Sequence, residues 1–226
     1  MTDGLVYDPQ LKPDERTATH SGRKDDRWVF TEQNAGHEYK AIAALAIAGR
    51  VLKGYNDELA AECITAAEEL WQEERELRRG IRDKVIAAAQ LLKTTRKPVY
   101  RQFFLDNRKQ IVEGIRWMAS AVGGVLPLLN DSAFAEEVRS AVKAQFAQVE
   151  QQQKENPFGV PYRPHIWGAG WGIQQFGVDQ YFLHKAFPDI VKPDYMLNAL
   201  NFVLGVHPGR NTASFASGVG ARSMTA

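Results

Sequence analysis

One cysteine in 226 residues leaves Cys63 without a partner for an internal disulfide. It stands on the apolar side of a helical pattern and is expected to be a buried structural thiol. Charge of either sign is not in excess: 28 basic and 27 acidic residues give a net +1. That balance offers no electrostatic case for nucleic acid or an anionic membrane surface. No apolar run approaches the roughly 20 residues of a membrane span. The opening "MTDGLVYDPQ" lacks the charged-then-apolar order of a signal peptide. No Gly-x-Ser-x-Gly elbow, phosphate loop or dinucleotide fingerprint occurs. His184 and His207 have no ligand partners at metal spacing, so neither a metal nor another cofactor is expected. No repeat of 33–45 residues is present, which counts against a solenoid.

What is present is apolar residue in helical order. Hydrophobic residues make up 44% of the chain, enough for a packed core. Residues 1–33 have no helical period and read as an irregular lead-in to the same domain that occupies 34–226. "HEYKAIAALAIAGRVLKG" is apolar nearly all round from Ala41 to Ala48 and predicts a helix buried on most sides. "NDELAAECITAAEELWQEE" is one-faced, with Leu59, Cys63, Ala66, Leu70 and Trp71 against four glutamates, and Asn56 or Asp57 as its cap. A further helix covers "IRDKVIAAAQLL". Residues 99–129 form one broken helix or two, because Gly114, Gly123, Gly124 and Pro127 interrupt them. Asp131 or Ser132 caps the next helix, whose stripe is Phe134, Val138, Ala141, Gln145 and Val149. Pro157, Pro161 and Pro164 stiffen 156–166. Two more helices cover 172–185 and 193–204, the last starting at Pro193 and stopping at Gly205. About seven helices, some buried on most sides and some on one, predict an all-α globule with inner and outer helical layers.

Two stretches carry candidate chemistry. "YRPHIWGAGWGIQQFG" sets Trp167 and Trp171 four residues apart among glycines, with Arg163 and His165 before them and Gln175 after. Trp faces left open by neighbouring glycines suit the C–H faces of a sugar ring. Arg, His and Gln suit its hydroxyls. The alternative is that both Trp residues are core. "LGVHPGRNTASFASGVGARS" is glycine-rich, so its backbone is not helical, and Ser214, Phe215 and Arg222 lie on it. An ordinary connecting loop is its alternative. The adjacent Asp25 and Asp26 point apart and are expected to pair with Arg23 or Arg27 rather than to act as a catalytic dyad.

At these two stretches the sequence resembles glycoside hydrolase family nine, the inverting cellulases and related β-glucanases. Leu204, Gly205, Pro208, Ser214, Phe215, Gly218 and Gly220 match that family's Leu-Gly-x-Asn-Pro, Ser-Phe and Gly-x-Gly segments, with His207 in place of the Asn. Trp171 and Gly172 match its Trp-Gly-Ser motif, with Ile173 in place of the Ser. "AIAALAIAGRVLKGYNDELAAECITAAEELW" is similar to its Ala-rich helix pair. The resemblance runs from about Trp28 to the end. It implies a partial (α/α)6 toroid, a β-glucan or related oligosaccharide as ligand, and an extracellular or periplasmic parent protein. It implies sugar contacts at Trp171, Trp167, Gln175, His165, Arg163, Ser214, Phe215 and Arg222. The family's base sits in an Asp-Ala-Gly-Asp motif, which this sequence lacks. Its acid is a Glu beyond the Gly-x-Gly segment. The expectation is therefore a domain cut at both ends, with no catalytic residue of its own. Such a chain would be inactive alone and marginally stable or self-associating, with Ile42, Leu45, Leu200 and Val203 at risk of exposure. Two alternatives are a self-contained helical interaction module and another toroid enzyme, such as a polysaccharide lyase.

Overall fold

A computed structural model describes residues 3–25, 35–73, 81–160, 169–206, 210, 212–220 and 222–223. The chain divides into two compact units, Met1–Asn34 and Ala35–Ala226. In the first, two short parallel strands pair, β1 (Val6–Tyr7) with β2 (His20–Ser21), in the register Val6 to His20 and Tyr7 to Ser21. Asp25 accepts from the Asp3 backbone N–H at 3.0 Å and pairs with Arg23 at 3.4 Å. That is the structural use expected of it; Asp26 lies outside the described residues.

The second unit is helical. Its elements are α1 (Ala35–Leu52), α2 (Asp57–Glu73), α3 (Arg82–Thr95), α4 (Pro98–Asp106), α5 (Arg108–Glu113), α6 (Ile115–Gly123), α7 (Leu126–Leu129), α8 (Ser132–Gln153), α9 (Ala169–Ala186) and α10 (Asp194–Val203). Two short strands follow, β3 (Ala213–Ser214) and β4 (Arg222–Ser223), paired in parallel. The interrupted segment 99–129 is in fact four short helices, broken at Asn107, at Gly114 and after Gly123.

Side-chain contacts sort these helices into two layers. Lys84 lies over the Tyr39 ring, and Thr94 donates to the Ala46 carbonyl at 2.8 Å, so α1 and α3 run the same way. Ser120 meets Asp179, and a Cβ on Gly123 would lie 2.9 Å from the Phe182 carbonyl oxygen, so α6 and α9 also run the same way. The Lys93 ammonium sits over the Phe182 ring at 5.2 Å, bringing the C-terminal end of α3 to that of α9. The row α1–α3–α6–α9 is thus an inner layer of parallel neighbours. The helices α2, α4, α8 and α10 return outside them. Among the described residues this makes four inner–outer pairs.

The main core lies between the layers and holds Phe104, Phe134, Leu91 and Ile111, all fully buried. Trp71 packs edge-on against Tyr100 and Phe103, with Lys84 over its ring. The caps follow sequence. Asn56 accepts from Leu59 N at 3.1 Å and Asp131 from Phe134 N at 2.8 Å. After α10, Gly205 N donates to the Phe202 carbonyl and Val206 N to that of Asn201, a Schellman closure with Gly205 at φ +82°.

Several faces differ from expectation. Residues 41–48 are more buried than 58–73, yet α1 is not enclosed: Ala41, Ala44 and Ile47 face solvent. The buried side of α2 is centred on Ala60 and Ala67, one position round from the expected stripe, and Leu59 is exposed. The cause is the close approach at Gly49, where a Cβ would lie 2.9 Å from the Ala60 carbonyl oxygen. Cys63 is only half-buried in consequence. On α8 the stripe is Phe134, Val138, Val142, Phe146 and Val149, with Ala141 and Gln145 at its margin. Ile42 and Val203 lie in the core and Leu45 packs against it, so of the four residues at risk only Leu200 is exposed.

Candidate functional site

The parallel inner row has two ends. At the end where inner helices finish, the joints are short, as at 53–56 and 96–97. The end where inner helices start is the one from which the segment after α10 departs. Trp171 is in the first turn of α9, at that same end. It is 68% exposed, so the core-packing alternative does not describe it. Trp167, His165 and Arg163 lie outside the described residues.

The surroundings of Trp171 are built by apolar anchors. Ile173, two residues on, is buried with Val160 and Ala199, and Phe176 and Phe202 pack against them. The departure from Ser to Ile in the Trp-Gly motif thus ties α9 to the 156–160 segment and to α10. That segment is held further by its Gly159 carbonyl, which accepts from Gln153 at 2.9 Å and from Asn198 at 3.1 Å. Phe202 then carries two rings. Phe158 meets it edge-on at 5.2 Å, and Phe215 stacks on it at 5.2 Å with 16° between planes.

The glycine-rich segment divides its two central residues. Ser214 is fully buried. Its hydroxyl lies 3.2 Å from the Val203 carbonyl and accepts from Ala216 N at 3.0 Å. Gly220 closes over it, where a Cβ would lie 2.9 Å from the Ser214 Cβ. Ser214 therefore shapes the loop from inside, while Phe215 is half-exposed. Arg222 is exposed on β4, paired with Ala213 in register. At Gly205 a Cβ would lie 2.5 Å from the Thr212 carbonyl oxygen. Substitution Gly205→Ala should cost about 1–3 kcal/mol by forcing both the positive φ and this contact. A thermal melt together with faster proteolysis near 212–220 checks it; an unchanged melt would contradict it.

Gln175 is exposed one turn beyond Trp171, and its Nε2 donates to Asp179 Oδ1 at 3.2 Å. The same oxygen accepts from the Ser120 backbone N–H at 3.1 Å. Trp171, Gln175 and Asp179 recur at i, i+4 and i+8 on one face of α9. Sequence reasoning passed over Asp179. The i, i+4 spacing from Gln175 was its only signal, since the Ser120 contact comes from a different helix.

Burial pushes the Asp179 carboxyl above its ordinary 3.8, opposed by hydrogen bonds from Ser120 and Gln175 and by the charge of Arg82. A raised carboxyl pKa on a partly exposed face invites comparison with a general acid. The bonding argues otherwise, because donors converging on Oδ1 hold the group as an acceptor. The pH consequence has a definite sign. The folded state retains a proton that the unfolded chain has already released, so stability falls as pH rises from about 3.8 through the raised value, then levels. Asp179→Asn should remove that slope, and denaturant melts across acidic pH measure it.

Among the described residues, no group of three or more His, Cys, Asp and Glu side chains could hold a metal ion. No helix among them is long and apolar enough to cross a membrane. A separate polar groove lies on α8 and the turn before α10, where Arg139 pairs with Asp189.

Comparison with known proteins agrees with this layered architecture. The family model described as Glycosyl hydrolase family 9 matches residues 7–226, and the chain belongs to that family. The crystal structure of a metagenome-derived glycoside hydrolase family 9 endoglucanase aligns with a TM-score of 0.61 at 20% identity. The alignment covers 97% of this chain and 44% of that one, so the chain spans under half the length of the solved relative. None of the curated proteins matches. The four inner–outer pairs are thus part of an (α/α)6 toroid, as the resemblance implied. Family membership sets aside the polysaccharide lyase.

Proposed function

We propose that this chain carries part of the β-glucan cleft of an inverting, cellulase-type hydrolase and supplies sugar contacts rather than the carboxyl pair. The observation that carries this is the exposure of Trp171 on the first turn of an inner helix, beside a polar Gln175. An exposed indole face offers a pyranose an apolar contact, and the carboxamide offers its hydroxyls a partner. Phe215 and Arg222 extend the contacts on the glycine-rich segment, with Ser214 holding that segment's shape. Arg163, His165 and Trp167 belong to the same proposed set. Inverting hydrolysis needs a base and an acid about 6.5–9.5 Å apart across the scissile bond. The family's Asp-Ala-Gly-Asp base motif does not occur in this sequence, and Asp179 is committed to hydrogen bonds. Residues 1–33 act as lead-in to the domain in this proposal, and the protein works outside the cytoplasm.

Calorimetric titration with cello-oligosaccharides, followed by a reducing-sugar assay on the same samples, tests it. Saturable binding without sugar release is expected. Absence of binding would overturn the ligand assignment. Turnover abolished by substituting a carboxylate of this chain would overturn the division of roles.

A further inference from the structure

Asp179 does more than fill a gap between two helices. Its Oδ1 takes one hydrogen bond from α6, through Ser120 N at 3.1 Å, and one from its own helix, through Gln175 Nε2 at 3.2 Å. The first bond fixes the carboxylate to a neighbouring inner helix. The second then fixes one end of a carboxamide on an exposed side chain. A carboxamide has a donor end and an acceptor end, and a free one turns to offer either. With one Nε2 hydrogen bonded to Asp179 Oδ1, the carboxamide is fixed with its acceptor end, Oε1, turned away from Asp179, while Nε2 keeps a second N–H.

We propose that Asp179 is a positioning residue of the carbohydrate face. It holds Gln175 so that Oε1 accepts a hydrogen bond from a hydroxyl of the sugar seated on Trp171. The proposal rests on the glucan assignment above and adds an orientation to it: the fixed carboxamide presents its acceptor oxygen, which takes a donor hydroxyl of the sugar. Gln175 lies one helical turn from Trp171, within reach of the hydroxyls of the same ring or the next. Ser120 sits in mid-helix, so the anchor is set by the packing of α6 on α9. Gly123 permits that packing, because any side chain there would meet the Phe182 backbone.

A donor hydroxyl can be identified with sugars in which single hydroxyls are replaced by fluorine, since C–F cannot donate. The 226-residue chain is titrated with cellotetraose and its monodeoxyfluoro analogues, as wild type, Asp179→Asn, Asp179→Leu and Gln175→Leu. In the wild type one analogue should bind about fivefold more weakly than the parent sugar, the loss of one hydrogen bond. Asp179→Asn should keep that discrimination, because its Oδ1 can accept from the same two donors. Asp179→Leu removes the acceptor and should bring discrimination below about twofold. Gln175→Leu changes an exposed side chain, leaves folding intact and should lose discrimination in the same way. A simple packing role for Asp179 would not move this ratio.

Discrimination unchanged in Asp179→Leu would overturn the positioning role, and discrimination unchanged in Gln175→Leu would overturn the contact itself. In both cases the glucan assignment stands, because the parent sugar still binds. A wild-type chain that binds no cellotetraose overturns the glucan assignment and this proposal with it.

Discussion

Replacing Phe104 by alanine should destabilise the 226-residue chain by about 3–5 kcal/mol. Phe104 is fully buried in the core between the helical layers, with Phe103 edge-on to it at 6.1 Å. Removing the ring deletes its transfer free energy and leaves a cavity that rigid neighbouring helices fill only in part. Domains are stable by about 5–15 kcal/mol, so one substitution takes a large share of the total. For a chain of this length the melting temperature should fall by about 6–20 °C. Differential scanning calorimetry decides it, and a shift under about 2 °C would mean that α4 does not pack as described.

How much of this was legible beforehand follows from what each residue type reports. The helix caps at Asn56 and Asp131 and the stop at Gly205 were readable, because capping chemistry is local. The buried face of α1 was not, since alanines occupy both its core side and its solvent side and say little about which is which. The stripe on α2 was offset by one position because Gly49 of another helix decides how near the two can come. In the glycine-rich segment, sequence marked Ser214 and Phe215 as a pair but could not tell which one turns inward. The exposure of Trp171 was one of two open possibilities until neighbouring helices were placed. Asp179 carried no motif, and its importance comes from an N–H donor 59 positions away.

Trp171→Ala should weaken cello-oligosaccharide binding by at least about 2 kcal/mol, roughly thirtyfold, with little change in melting temperature. The two halves of this expectation have one cause. A side chain 68% exposed contributes little to the core, so its loss is felt by a ligand rather than by the fold. Phe104→Ala is the mirror case: it should lower stability and leave affinity of the surviving folded protein unchanged. Matching losses of stability and affinity in Trp171→Ala would return Trp171 to a packing role.

The most direct test of the carbohydrate face is to watch the indole N–H resonances while cellotetraose is added to the 15N-labelled chain. Trp71, wedged between Tyr100 and Phe103, is an internal reference. Saturable movement of the Trp171 resonance with Trp71 stationary is the predicted result. A stationary Trp171, or equal movement of Trp171 and Trp71, would contradict a sugar site at the start of α9.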